Sequence, residues 1–392
     1  MTTLGMRGTG SFAADHRPEN YREKYLMLEP NGSAPLTAIL SMLPSEATDD
    51  PEFHNFRKDL PSFTFTHSGT ATNNATTLTA SAAGDAAFFR VGMLIRNFRT
   101  GEVAKITALP STTTFTITRG IGNGGTGVAV AAGDTWFMVG NGNAEGGDTP
   151  TSVSYDAAST ENFCQIFRTP YSITRTAMHT NFRTGDQYLE KSRDALKEHM
   201  VGMERAMLFG KKDIVAGSAG MPERYTDGIF NSITTNVEDA SANTNANVLT
   251  EAEFDTFLAE KAFAFGSSEK LMLCGWKVAE HLQTLAKSRY QINSTGTGDS
   301  YGVNFTTYNT FAGTLQVKTH PMFRQIPGAQ FDAIILDTKD FRYRYIDDTS
   351  LLKDRQGNGV DGVTDEYLTE AGLEILQEKT HAVISSWQAL TT

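Results

Sequence analysis

TGDQYLEKSRDALKEHMVGMERAMLFGKK, residues Thr184–Lys212, is the longest uninterrupted helical pattern in the chain, and the rest is read outward from it. Thr184 and Gln187 stand at capping-box spacing, so their side chains can satisfy the first free amides. Asp186 adds negative charge where the helix dipole favours it. Leu189, Leu196, Met200, Met203 and Met207 recur at helical spacing and predict one apolar face, with no proline to interrupt it. Glu190–Arg193 and Asp194–Lys197 fall three apart on the side predicted to be solvated. Gly210 is expected to end the helix in the left-handed conformation, ahead of Lys211 and Lys212. About 25 residues at ~1.5 Å each give a rod as long as a domain is wide. Its narrow seam predicts a helix laid across a surface, able to act as a backbone for other modules.

The chain has 392 residues, 39% hydrophobic and 20% charged, which is a globular composition with room for two to four domains. Its net charge of −11 argues against a dedicated nucleic-acid binder, though not against a protein that encloses nucleic acid. Cys164 and Cys274 form no redox or ligand motif and are expected to be reduced thiols. The first residues, MTTLGMRGTGSFAADHRPENY, lack an apolar signal core, and the apolar runs AILSML and AAFFRVGMLI are too short to cross a membrane.

Before the long helix, residues 1–60 resemble an arm, with a predicted helix over Ser33–Leu43 that stops at Pro44 and a second, single-turn helix expected to start at Asp49, in DDPEFHNF. Residues 61–150 change to Thr, Gly, Ala and Asn, and FTFT, GMLIRNF, GEVAKITAL, TTTFTITRG and TWFMVG read as strands. A weak repeat, AAGDAAFFRVG at Ala82–Gly92 and AAGDTWFMVG at Ala131–Gly140, predicts two related hairpin units in a small barrel or sandwich. FCQIFRTPYSITRTA predicts an extended ribbon broken at Pro170. After the long helix, Thr250 and Glu253 form a second capping box ahead of Phe254, Phe257, Leu258, Ala262 and Phe265. KLMLCG and FDAIILD read as buried strands, and WKVAEHLQTLAKS as a helix with Val278, Leu282 and Leu285 inward. Tyr301–Lys318 reads as a hairpin, and RYRYID as a polar edge strand. The tail TEAGLEILQEKTHAVISSW is expected to return as strands beside the long helix.

No catalytic, cofactor-binding or metal-binding residue is assigned. The eight histidines show no zinc-ligand spacing. Gly120–Gly125, GIGNGG, fits G-x-G-x-x-G, but no helix follows it, so a turn between strands is expected. Ser267–Lys270, SSEK, fits S-x-x-K without its companion motifs. Asp347 and Asp348 are adjacent in a strand and would point to opposite faces, so a solvated role is expected. Asp354–Asp365, DRQGNGVDGVTD, partly fits a calcium loop, but its twelfth position is Asp365 rather than a bidentate Glu. Arg342–Tyr345, RYRY, could stack bases; packing against another subunit fits better.

The order of parts, arm, extended excursion, long helix, compact α+β module and returning strands, resembles the major capsid proteins of tailed phages with the Hong Kong 97-type fold. RPENYREKYLMLEPNGSAPLTAIL and DPEFHNFRKDLP are similar to the arm of a podophage-like group carrying an added β domain. GEVAKITALPSTTTFTITRGIG is similar to its inserted domain, and TDEYLTEAGLEILQEKTHAVISSW to its closing strands. The resemblance implies an α+β capsid fold with an inserted all-β domain. It implies an N-terminal arm at 1–62, the β domain at 63–148 within the extended-loop region, and the ribbon at 149–183. The spine helix and peripheral domain follow at 184–250, an axial domain at 251–364, and closing strands of the peripheral domain at 365–392. The implied role is a non-enzymatic shell subunit, part of the virion, assembling in host cytoplasm without a membrane. The implied partners are its own copies in pentamers and hexamers, a portal protein, a scaffold, decoration proteins and enclosed double-stranded DNA. A β-rich tail or receptor-binding protein and a cellular nanocompartment shell are the competing roles.

Overall fold

A computed structural model describes residues 44–61, 63–146, 150, 152, 154–182, 185–217, 220–243, 246–289 and 306–389. The predicted helix over Ser33–Leu43 and the cap residue Thr184 lie outside the described residues. Two compact units divide the chain: residues up to Asn55 together with Thr160 onward, and Phe56–Ser159.

The larger unit is built on two sheets. One has the order β1-β18-β19-β10, with β1 at Ser45–Ala47, β10 at Gln165–Thr174, β18 at Phe341–Leu352 and β19 at Gly362–Ile375. Residues 341–375 form one long hairpin, and β10 runs antiparallel along the outer side of β19, Gln165 facing Ala371 and Thr174 facing Gly362. Pro170 does not break β10, because β10 is an edge strand and a missing N–H on its open side costs no ladder bond. RYRYID is interior instead of an edge: β18 lies between β1 and β19. A boundary at 364/365 is corrected too, since it cuts through the continuous strand β19.

The second sheet has the order β13-β20-β17-β14-β16-β15, with β13 at Val237–Asp239, β14 at Glu269–Cys274, β15 at Thr306–Asn309, β16 at Thr314–Thr319, β17 at Ala333–Leu336 and β20 at Ala382–Ser385. Its strands β14, β17 and β20 are covered on both faces, which explains the unbroken apolar runs KLMLC and AIIL. Side chains alternate between two cores. Leu271, Leu273, Ile334, Leu336 and Val383 join the core that receives the long helix. Met272, Cys274, Ala333, Ile335, Ala382 and Ile384 join a second core with α4, Glu251–Phe257, and α5, Trp276–Arg289. The Thr250–Glu253 capping box is present, and Val278, Leu282 and Leu285 are buried. Phe265, expected on the α4 face, is exposed. The tail does not simply return to the long helix. β19 does, but β20 inserts between β13 and β17 of the second sheet. Three short helices complete this unit, α1 at Arg175–His179, α3 at Ile229–Ser232 and α6 at Pro321–Gln325, with the small ribbon β11, Asp213–Val215, paired to β12, Glu223–Tyr225.

The long helix, α2, runs Gln187–Phe209. Asp186 is its N-cap, accepting from the amides of Tyr188 and Leu189. Gly210 does not adopt the left-handed conformation; its φ is −58° and ψ 157°. Glycine is needed there for room, because a Cβ would lie 2.4 Å from the Ala206 carbonyl oxygen and 2.7 Å from that of Thr226.

In the smaller unit, β3 (Thr64–Thr66), β4 (Thr77–Thr79), β5 (Met93–Asn97), β6 (Val103–Ala108), β7 (Thr114–Thr118) and β8 (Thr135–Asn141) form an antiparallel sheet in the order β3-β8-β5-β6-β7-β4. A bridge between His67 and Ala80 joins the two edge strands and closes the sheet into a barrel. Phe65, Phe89, Phe115 and Trp136 fill it, the Phe65 and Phe115 rings stacking at 4.2 Å. The two AAGD segments are equivalent only as turns. After Gly133 the chain enters β8, whereas after Gly84 it forms a 3-10 turn, Asp85–Phe88. Two strands, β2 at Glu52–Arg57 and β9 at Ala158–Phe163, pair as a ribbon where the chain leaves the larger unit and returns, so the stretch from Asp49 expected as a single-turn helix is extended instead, its backbone paired with β9.

Candidate functional surfaces

The face by which α2 meets its sheet is mostly polar at its start. Tyr188 donates to the buried carboxylate of Asp365, which also receives the Tyr171 hydroxyl at 3.3 Å. Ser192 and Tyr367 share a hydrogen bond of 2.9 Å. His199 reaches Thr169 at 3.0 Å through Nδ1 and Thr369 at 2.8 Å through Nε2. Burial pushes the His199 pKa down, and the bond to Asp365 pushes that of Tyr188 up. Apolar packing takes over in the second half of the helix, where Met203, Met207 and Leu208 are buried and Met200, as expected, packs against the same core. The inward stripe therefore runs through Tyr188, Ser192, Ala195, His199, Met203 and Met207 at spacings of a helical face. Leu189 and Leu196, expected on the seam, are 52% and 37% exposed. Near the helix end, Glu204 and His320 are both fully buried, with Nε2 2.6 Å from the carboxylate.

None of the weighed motifs assembles a reactive centre. Ser267 donates to Asp337 at 2.8 Å, while the buried Lys270 ammonium is spent on the carbonyls of Phe265 and Thr380. Burial lowers the Lys270 pKa. The calcium-loop reading fails at its last position. One Asp365 oxygen accepts from the Asp354 amide at 2.9 Å, and the other holds the two tyrosines. GIGNGG is a turn after β7. Buried Arg119 and Glu102 pair beside it at 2.5 Å, and Glu102 also accepts from the amides of Gly120 and Val128. Asp347 and Asp348 lie exposed on the irregular part of β18. In RYRY, Arg344 is committed to Glu374 at 2.7 Å and Glu46 at 3.0 Å, so it is not free for a base. Tyr343 and Tyr345 stack on each other at 5.8 Å. Burial raises the thiols of Cys164 and Cys274 to about 12, so both are poor nucleophiles. Among the described residues no helix is long and apolar enough to cross a membrane.

What the molecule offers instead is surface. Large apolar side chains stand exposed on α2, at Phe311 in the β15–β16 turn and at Met221. The profile of the SU10 major capsid protein family matches residues 3–388. The chain belongs to that family. It is 26% identical over 386 residues to the major capsid protein of Pseudomonas phage PaMx41, covering 92% of this chain and 90% of that one. Among solved structures, the capsid of an empty GTA particle matches with a TM-score of 0.50 and 8% identity, covering 96% of this chain and 98% of that chain. The native GTA capsid gives 0.48 at 9% identity, over 96% and 97%. The empty-particle capsid shares the fold of this chain, the Hong Kong 97 type that its order of parts implied. The chain is a major capsid protein of a tailed phage, a structural virion component that assembles with its own copies into shells.

Proposed function

We propose that copies of this capsid protein form pentamers and hexamers that close into an icosahedral or prolate head around packaged double-stranded DNA. The family match across residues 3–388 carries the reading. The subunit's surface agrees with it: Leu189, Leu196 and Phe311 are apolar and exposed in the single chain, as expected where neighbours pack. A net charge of −11 suits enclosure of DNA without tight binding to it. α2 is the spine, with β10, β18 and β19 as the peripheral sheet; the β14-centred sheet with α4 and α5 is the axial module. The barrel within Phe56–Ser159 is an insertion into the extended-loop region, reached through β2 and β9. Assembly takes place in the host cytoplasm with a portal protein, a scaffold and decoration proteins. The protein acts by packing and carries out no catalysis. The test is expression with and without the neighbouring phage assembly genes, followed by size exclusion and negative-stain imaging. Particles hundreds of ångströms across support the proposal; small discrete oligomers under every condition overturn it.

A further inference from the structure

The strands β2 and β9 carry a group of side chains that the capsid role does not use. Glu52 and His54 are two apart on β2, and so point to the same side of the ribbon. Glu161 lies on the partner strand β9. One ligand atom from each of the three lies within 4.8 Å of the other two. His54 Nε2 is already 3.2 Å from Glu52 Oε1. Two ligands at ~2.1 Å from a tetrahedral or octahedral metal stand about 3.0–3.4 Å apart, so this pair is at ligand spacing without movement. The Glu161 side chain is oriented by Lys212, whose ammonium holds Oε1 at 3.1 Å and the Glu161 carbonyl oxygen at 3.3 Å. That contact occupies one carboxylate oxygen and leaves the other for a metal, in the manner of an outer partner that aims a ligand.

We propose that Glu52, His54 and Glu161 bind a divalent transition-metal cation, zinc being the best fit, and that the ion clamps β2 to β9. An imidazole with two carboxylates is a donor set that suits zinc. Magnesium prefers oxygen ligands and keeps its water. The three side chains fill three positions and leave the rest to water. The acidic residues do not stand alone here: the imidazole between them is what selects a transition metal over calcium or magnesium. The ion would tie together the two crossings of the chain, Glu52–His54 going out and Glu161 coming back, adding to the two-stranded ladder that pairs them.

The purified full-length chain is titrated with zinc chloride by calorimetry, in parallel with His54→Ala, Glu161→Gln and a magnesium control. One site should bind zinc and not magnesium, and each substitution should weaken that site at least tenfold. Circular dichroism confirms that the variants fold, which is expected because all three side chains reach solvent. Limited proteolysis gives the second readout: zinc should slow cleavage around residues 52–57 and 158–163 in the wild type, and should not in His54→Ala. The proposal is overturned if zinc binds the variants as tightly as the wild type, or if no zinc binds at all. It is equally overturned if bound zinc leaves cleavage of the two strands unchanged. None of these results bears on whether the chain forms shells.

Discussion

Leu196 and Met203 stand two turns apart on nearly the same azimuth of α2, one half-covered and the other buried, and placing an aspartate at each should separate the margin of the seam from its core. Met203 is 3% exposed and packs in the core with Met207, Leu208, Leu273, Phe323, Phe341 and Leu373. Removing a buried methionine to Ala alone costs about 2–5 kcal/mol. Aspartate adds the burial of a carboxyl group, which costs several kcal/mol more or forces it to protonate. The sum is comparable with a total stability of ~5–15 kcal/mol, so Met203→Asp should leave the subunit unfolded. Leu196 is 37% exposed, so part of its apolar surface is covered, and Leu196→Asp should cost about 1–2 kcal/mol, well short of the Met203→Asp loss. A carboxylate at 196 would even stand at favourable spacing from Arg193. The assay is soluble yield followed by urea unfolding of the unassembled subunit, with Met203→Ala as a folded intermediate case. Particle yield is scored separately, because Leu196 is proposed to face a neighbour and its substitution can block assembly without unfolding anything. A soluble Met203→Asp with the wild-type midpoint would refute the packing argument. So would a Leu196→Asp subunit that unfolds as readily as Met203→Asp.

The loop between β19 and β20 should make the subunit acid-labile in two stages. Burial holds His381 down to about 4, with its Nδ1 accepting from the Asp337 amide. A buried neutral histidine gives stability that is fully present above ~6.5 and declines as pH falls from there to about 4, by about 3 kcal/mol in all. Burial of Glu378 opposes its charge, but the amides and hydroxyls of Thr234 and Thr235 outweigh that and bring it to about 2. Its contribution is present above pH 4.5 and is lost as pH falls from there to about 2. Urea midpoints measured from pH 7 to pH 3 should therefore fall in both windows, and His381→Gln should flatten the upper one; a midpoint independent of pH would contradict this. In the barrel, Glu102→Ala leaves the buried Arg119 guanidinium without its carboxylate and should cost about 3–5 kcal/mol. Proteolysis with mass spectrometry should then show new cuts within residues 56–159 and few elsewhere, and a wild-type cleavage pattern would mean the pair is dispensable.

Local periodicity was enough to find most elements. Five of the six described barrel strands, the Thr250–Glu253 cap and the buried strands KLMLC and AIIL follow from side-chain pattern and turn chemistry, because each depends on neighbours a few residues away; the three-residue β4, Thr77–Thr79, is too short to show such a pattern. The existence of the long helix was legible in the same way. Which of its faces points inward was not. Tyr188, Ser192 and His199 are polar and would be read as solvated. They are inside because Asp365, Tyr367, Thr169 and Thr369, brought up by β10 and β19, satisfy their hydrogen bonds. Leu189 and Leu196 lie at the edge of that face and stay 52% and 37% exposed, while Met203 farther along is buried. The fate of the tail was equally hidden: nothing within AVIS says that β20 slots between β13 and β17 while β19, a few residues earlier, belongs to another sheet. Strand order is a long-range property, set by which apolar faces the whole chain can bury at once. The Glu52–His54–Glu161 group is of the same kind. An i, i+2 Glu-His pair is unremarkable in sequence, and its third member stands more than a hundred residues away, so only the pairing of β2 with β9 puts the three within reach of one ion.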